Sequence, residues 1–573
     1  MGLGLEDHRR LTFILIGMEA VLLVAVVILR GHHPPNHDEL NFLETGLRML
    51  GTKGNPKEFI HGSFLYDVMA ILHGVAYLAQ GLWNHNWDPD QYIEFYLANR
   101  GGYLLIGRLI VVAFAAVLLW AVHRLAEILY GSHAVGLLAV AMLALSILLP
   151  LTSLLKEDLP ASAFAVLSVL VLFDPSKKLR MPVQWCLSGV LCGVATATKY
   201  SIVSLVVVPI ALMLLRKPEI AWRLVVVFAV SMGLAFSAIE PYLFLDFSRA
   251  MRDVGVLGGV LTPEGAGRSM ALRYVEYLPL GMGGALIISV FIVGVKVCLG
   301  TDERAKAIMA FLAVAGVLLM ANAYGFLRYA MPLAPFICLV VAGELWRKGI
   351  LKARSGLVVI GVAILFTWPA NVIAAKYLVL LSRPDTREVS KVWIEAQVPS
   401  GSKVLLEGTI TGESIFSPAL LPTAEWFQVR LREAQAAGAT GKFLQVAASR
   451  AAKSGRPRYN LVENYIEEVS NYKDLEYVVL ARYDGPLRSE SPYMDSTKDH
   501  RVREAVALRQ KAVRQLKEDF TEVFSATPVP NLRFDWFTDN PDFLRLWSVP
   551  LGSYNEWLVG PRISVYRNHL AKQ

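Results

Sequence analysis

Two carboxylates, Asp38 and Glu39, stand side by side in the segment "GHHPPNHDELNF", just beyond the first apolar run of the chain. A carboxylate partly withdrawn from water and beside a second negative charge should bind a proton more tightly than usual. Such a group could take one from a hydroxyl. Further polar clusters adjoin other apolar runs: Lys156-Glu157-Asp158, Lys199-Tyr200, Glu240-Pro241-Tyr242 and Arg328-Tyr329. Their cationic members could hold an anionic group such as a phosphate and stabilise it as it departs. Each cluster also has a plainer reading. Lysines and arginines snorkel to lipid headgroups, Glu157 and Asp158 suit a helix N-terminus, and Tyr200, Tyr242 and Tyr329 suit the membrane interface.

The elements that must carry these groups are membrane helices. The chain has 573 residues, 54% hydrophobic and 18% charged, more apolar than soluble proteins usually are. Apolar runs near 11–29, 103–128, 134–150, 160–173, 183–198, 201–215, 222–239, 278–299, 307–321, 331–345 and 356–375 give about eleven spans. The first reads as a retained signal anchor, because no small-residue cleavage site follows it. Alternating loops that hold Arg9, Arg10, Arg124, Arg304, Lys306, Arg347 and Lys348 are rich in positive charge. That places them, and the N-terminus, in the cytoplasm of a plasma-membrane protein. The five polar clusters then gather on the outer face. An apolar stretch in the outer loop 30–102, "HGSFLYDVMAILHGVAYLAQGL", reads as an interfacial helix; as a twelfth span it would invert every later loop.

The net charge of +8 is accounted for by this topology, and no basic tail or aromatic-basic motif points to nucleic acid. Cys186, Cys192, Cys298 and Cys338 all lie in apolar runs, which supports neither a disulfide framework nor a Cys-x-x-Cys metal site. From residue 376 the composition becomes that of a soluble protein. "TREVSKVWIEAQV" has helical spacing, "SKVLLEG", "EYVVLARYD" and "ISVYRN" read as buried strands, and "HRVREAVALRQKAVRQLKEDFTEVF" reads as one amphipathic helix. The expected organisation is a transmembrane domain at 1–375 and an extracytoplasmic α/β domain at 376–573.

Several of these stretches carry a family resemblance. "NHDELNF", "LLKEDLPASAFAVLSVLVLF", "GVATATKYSIVSLVVVP", "EPYLFLD", "RYAMPLAPF", "DTREVSKVWIEAQVPSGSKVL" and "GPRISVYRN" resemble glycosyltransferase family 39. That family includes protein O-mannosyltransferases and lipid A aminoarabinose transferases, membrane enzymes of the type C architecture. The resemblance implies a polyprenyl-phosphate sugar as donor and a lipid, glycan or protein as acceptor. It carries an essential acidic role to Asp38, with Glu39 as its neighbour. It also implies substrate-binding roles for Asp158, Lys199, Tyr200, Arg328 and Tyr329, which Glu240 joins on the same face. Whether a divalent metal ion takes part is left open.

Weaker candidates remain. Asp88 and Asp90 in "NWDPDQY" imitate an Asp-x-Asp metal motif but fit a common turn. His37 or His61 could stand near the site or at the interface. The Gly-rich loop "LTPEGAGRSMALRYVEY" is either a flap over the acceptor or a connection. A transporter or lipid flippase would also bind a lipid phosphate, although such proteins usually hold ionisable groups at the bilayer midplane and often carry repeated halves.

Overall fold

The computed structural model describes residues 3–32, 37–85, 87–175, 180–215, 222–253, 267–321, 327–351, 355–407, 418–436, 441–464, 466, 469, 474–482, 500–527, 534–535, 540–541 and 562–569. Residues 254–266, which include the start of the Gly-rich loop, and the side chain of His37 lie outside that set. The chain forms two compact units: Met1–Ile28, Asp38–His73 and Leu105–Leu378 make the first, and Leu29–His37, Gly74–Leu104 and Val379–Gln573 the second. The last division falls between Leu378 and Val379, and Leu29–His37 and Gly74–Leu104 are grouped with the second unit.

Among the described residues the regular elements of the first unit are helices, and Phe64–Asn84, Pro89–Tyr130 and Ala370–Leu381 extend into stretches grouped with the second unit. Helix α1 (Leu3–Leu29) is followed by α2 (His37–Gly51), α3 (Phe64–Asn84), α4 (Pro89–Tyr130), α5 (His133–Ala144), α6 (Leu148–Thr152), α7 (Asp158–Phe173) and α8 (Met181–Thr198). A 3-10 segment at Tyr200–Val206 leads into α9 (Val207–Leu215), then α10 (Trp222–Ile239) and the short α11 (Pro241–Leu245). Later helices include Gly284–Leu299, Glu303–Ala321, Ala334–Arg347, Gly356–Thr367 and Ala370–Leu381.

Among the described residues, five helices are long and apolar enough to cross a membrane: Asp7–Leu29 within α1, α3, α4, α8 and α10. Gly356–Thr367 with Ala370–Leu381 makes up to six as one broken span bent by 82°. Each apolar run read from the sequence falls on a helix or helix pair, but several helices are shorter than the runs. One reason is visible at 134–150, where Leu145–Ile147 leave the α-helix between α5 and α6. The 356–375 run bends at Trp368–Pro369, where proline lacks the N–H that a continuous helix needs. Helix α3, read as interfacial, has the length and hydropathy of a span.

The second unit contains a six-stranded mixed sheet. Its strands are β1 (Lys403–Leu406), β2 (Leu421–Pro422), β3 (Arg458–Glu463), β4 (Tyr477–Arg482), β5 (Phe520–Ala526) and β8 (Arg562–Asn568); β6 (Phe534–Asp535) and β7 (Asn540–Pro541) form a separate pair. The order is β2-β3-β1-β4-β8-β5, parallel from β2 to β4 and antiparallel around β8. Alternate residues explain the unbroken apolar runs. Val404, Leu406, Tyr477 and Val479 pack with Ile394 of helix Thr386–Gln397 on one face. Leu405, Val478 and Leu480 pack with Ala512 and Leu516 of helix His500–Asp519 on the other. A sheet covered on both faces has no polar side to alternate with. The expected helix through Phe524 stops at Asp519, and "FTEVFSA" pairs with β8 instead, so pairing in the sheet overrides its local pattern.

Candidate active site

The adjacent carboxylates on α2 meet different surroundings within the first unit. Glu39 is fully buried. Arg108 of α4 donates from Nε to Oε1 at 2.8 Å and from its terminal nitrogen to Oε2 at 2.8 Å, and the Leu155 backbone N–H donates to Oε1 at 2.9 Å. This closed fork ties α2, α4 and the 153–157 turn together. Gly107 permits the approach, because a Cβ there would stand 2.9 Å from Leu155 Cδ2.

Asp38 keeps about a fifth of its side chain exposed and lies 3.0 Å from Lys156 Nζ, 3.3 Å from the terminal nitrogen of Arg328 and 3.9 Å from His61 Nε2. Two of these groups, Arg328 and His61, reach a second acidic pair together with Lys199. Arg328 Nε lies 3.7 Å from Asp158 Oδ2, Lys199 Nζ forms a close ion pair with Asp158 Oδ1, and Lys199 is also 3.7 Å from Glu157. His61 Nδ1 faces Glu157 at 3.6 Å. Lys199 Nζ stands 4.3 Å from the centre of the Tyr329 ring, and Arg328 lies over the same ring at 5.5 Å, so the aromatic face helps to hold both cations. Lys156, Asp158, Glu157 and Arg328 are all buried, where charges persist only with partners.

Glu240, just after α10, acts on the backbone of the first loop. Its Oε1 accepts from Ser63 N–H at 2.5 Å and its Oε2 from Ser63 Oγ at 2.6 Å. Tyr200 donates within reach of Glu240 Oε1 at 3.3 Å and the His61 carbonyl at 3.2 Å. Between His61 and Ser63, a Cβ on Gly62 would collide with the carbonyl oxygens of Ala197 and Thr198. Only glycine lets this loop sit against the end of α8, which sets His61 beside Asp38 and Glu157.

The expectation that Glu39 raises the proton affinity of Asp38 is overturned. Burial alone would raise it, but Lys156, His61 and Arg328 outweigh burial and hold the carboxyl well below the usual carboxylate range. The charge of Glu39 is meanwhile taken up by Arg108. Glu157 is lowered in the same way, burial being outweighed by Lys199, His61 and Arg328. Glu240 is pushed up to about 7 by burial, against the hydrogen bonds from Ser63.

Asp38, Asp158, Lys199, Arg328 and Tyr329 thus form one network, with Tyr200 and Glu240 behind it and Glu39 turned away into its fork. The capping reading of Glu157 and Asp158 finds no side-chain cap hydrogen bond at α7. Lys156 and His61 belong to the centre of the network, although nothing local in their sequence sets them above their neighbours. Arg108 is not among the residues expected at the site, and its charge inside the 103–128 apolar run is the signal that points to it. The turn reading of Asp88 and Asp90 fits the structure: Asp88 Oδ1 accepts from Asp90 N–H at 2.9 Å at the start of α4.

Residues 95–244 match the model of a family described as dolichyl-phosphate-mannose-protein mannosyltransferase, which bears out the family resemblance read from the motifs. That segment contains Lys156, Asp158, Lys199, Tyr200 and Glu240. No curated protein matches the chain by sequence. Among solved structures, ArnT from Cupriavidus metallidurans bound to undecaprenyl phosphate is similar at 12% identity and TM-score 0.42, over 77% of this chain and 74% of that one. The Archaeoglobus fulgidus oligosaccharyltransferase in its apo form is similar at 10% identity and TM-score 0.39, over 82% and 69%. The archaeal oligosaccharyltransferase AglB from the same organism, in complex with an inhibitory peptide and a dolichol-phosphate, is similar at 10% identity and TM-score 0.41, over 91% and 73%.

Proposed function

We propose that this chain, whose residues 95–244 match the model of the family described as dolichyl-phosphate-mannose-protein mannosyltransferase, is an inverting glycosyltransferase. It would move a hexose or pentose from a polyprenyl phosphate to a hydroxyl of a lipid, glycan or protein acceptor at the outer membrane face. The observation that carries this reading is the shared ion network: Asp38 meets Lys156 and Arg328 through single contacts, beside a second acidic group, Asp158, held by Lys199 and Arg328.

A donor phosphate entering this network competes for Lys156, Arg328 and Lys199, since charge-assisted contacts to phosphate are strong. As those cations turn to the phosphate, their hold on Asp38 relaxes and its proton affinity rises. The acceptor hydroxyl then gives its proton to Asp38, and its oxygen bonds to the anomeric carbon on the face opposite the phosphate. The bond from that carbon to the phosphate oxygen breaks, its electron pair leaves with polyprenyl phosphate, and the cations stabilise the departing charge. Glu39 and Glu240 touch no reacting atom in this scheme; the first fixes α2 and the second fixes the loop that carries His61.

The reading is tested by incubating the purified protein with radiolabelled polyprenyl-phosphate sugars and native membrane extract, then determining the anomeric configuration of the product. Transfer with inversion is expected. Retention, or no transfer from any lipid-phosphate sugar, defeats the proposal. The orientation has its own check with a membrane-impermeant thiol reagent on intact cells, or spheroplasts, in a cysteine-free background. The exposed positions Ala396 and Thr301 serve as Ala396→Cys, which should label from outside, and Thr301→Cys, which should not. The reverse pattern would divide or invert the site.

A further inference from the structure

At the far end of α4 from Arg108, His123, Glu127 and His133 bring three ligand atoms within 4.8 Å of one another. The helical rise puts about 22 Å between Arg108 and His123, so this group is separate from the ion network around Asp38. His123 and Glu127 are one turn apart on the same face of α4. His133 opens α5 after a tight turn at Gly131, whose φ of +62° favours glycine. His123 Nε2 lies 3.1 Å from Glu127 Oε1, His133 Nδ1 closes on the same oxygen, and the two imidazole rings stack at 5.6 Å with 19° between their planes.

A second observation points to a ligand. His123 is 1% exposed, yet neither of its ring nitrogens completes a hydrogen bond, and the same holds for His133 Nδ1 and Glu127 Oε1. A buried imidazole with neither nitrogen satisfied is costly in a protein interior. The other groups on the cluster do not relieve it: Arg124 pairs with the carboxylate of Glu127, and Phe13 meets His123 edge-on at 6.0 Å.

We infer that His123, Glu127 and His133 bind a divalent transition-metal ion of the zinc class, which clasps the end of α4 to the start of α5. Two imidazole nitrogens and one carboxylate oxygen suit Zn²⁺, whose bonds of about 2.0–2.2 Å would draw these atoms inward and satisfy them together. Three protein ligands leave a fourth position for water. His133 is partly exposed, which provides the route of entry. This site lies about 22 Å along α4 from Arg108 and does not depend on the proposed transfer chemistry.

The test uses the full-length protein, freed of any histidine tag and stripped with chelator. Co²⁺ is titrated while its visible absorption is followed, and Zn²⁺ content is measured by mass spectrometry after dialysis. One ion per chain with tetrahedral Co²⁺ bands is expected. His133→Ala and Glu127→Gln should each weaken binding tenfold or more and abolish the rise in Tm on Zn²⁺ addition, whereas Asp38→Asn should leave the ion in place. His133→Ala changes a partly exposed residue, and equal metal-free Tm values confirm its fold. The proposal is overturned if the parent protein retains no ion at micromolar Zn²⁺. It is equally overturned if His133→Ala binds Co²⁺ with the parent's spectrum and affinity.

Discussion

On one side of α2, Glu39 is locked by Arg108 through two hydrogen bonds and by a backbone N–H through a third. On the other, Asp38 faces Lys156, Arg328 and His61 through separate contacts and keeps part of its side chain open. Both are buried-type ion pairs, but they differ in what they leave available. The Glu39 fork uses both carboxylate oxygens on partners within the fold, so its energy goes into holding three segments in register. In the Asp38 network Arg328, Lys199 and His61 each face two acids, so an incoming anion can draw a cation away while the carboxylates keep other partners. A saturated pair serves structure, whereas a shared one leaves room for a substrate.

The largest expected effects break this contrast most directly. Asp38→Asn should reduce transfer by about 10²–10⁴-fold, because the amide keeps the shape and cannot accept the proton, while the thermal midpoint falls less than in Glu39→Gln, since Arg328 and His61 keep Asp158 and Glu157 as partners. Glu39→Gln should do the reverse, losing about 3–5 kcal/mol of stability by leaving Arg108 uncompensated. Turnover by pre-formed folded protein, measured beside thermal unfolding in the same detergent, separates the two. If Glu39→Gln keeps its midpoint and loses all turnover, the roles assigned to the neighbours are exchanged.

The cations sharpen the contrast at the next level. Lys156→Ala and Arg328→Ala should each weaken binding of polyprenyl phosphate by about 10- to 100-fold, the worth of a charge-assisted hydrogen bond. Equilibrium binding of the lipid phosphate reads this directly. Parent-like affinity in both variants would reduce the two residues to structural partners of Asp38.

A smaller effect concerns pH. Glu240 has its folded pKa raised from 4.5 to about 7, so the folded state binds its proton more tightly than the unfolded state does. Its stabilising contribution is fully present below pH 4.5 and is lost as pH rises through about 7. Over that window Tm should fall more steeply for the parent than for Glu240→Gln, which does not titrate. Parallel pH profiles would show that Glu240 is not the buried group described here.

The smallest effect lies in the second unit, where Lys442 and Asp90 pair at 3.1 Å with side chains 52% and 47% exposed. Lys442→Ala should cost about 0–1 kcal/mol, as exposed ion pairs do. A loss comparable to that of Glu39→Gln would mean that exposure is a poor guide to the worth of an ion pair in this protein.

The sequence by itself determined the helical membrane class, the soluble composition beyond residue 376 and the strands around Leu405, Val479 and Val565. Each is written in local hydrophobicity and run length, which need no knowledge of distant residues. It also marked Asp38, Asp158, Lys199 and Arg328, because a charge beside an apolar span is costly wherever the chain goes. It could not reveal that "FTEVFSA" leaves a helix for the sheet edge, since that depends on β8 lying beside it. Nor could it separate Asp38 from Glu39. Adjacent residues on a helix point about 100° apart, and only the packing of α4 decided that Arg108 meets one carboxylate while Lys156 and Arg328 meet the other. The proton affinity of Asp38 departs from the sequence expectation for the same reason. Sequence neighbours suggested repulsion by Glu39, whereas the field at the carboxylate is set by cations far away along the chain and close in space.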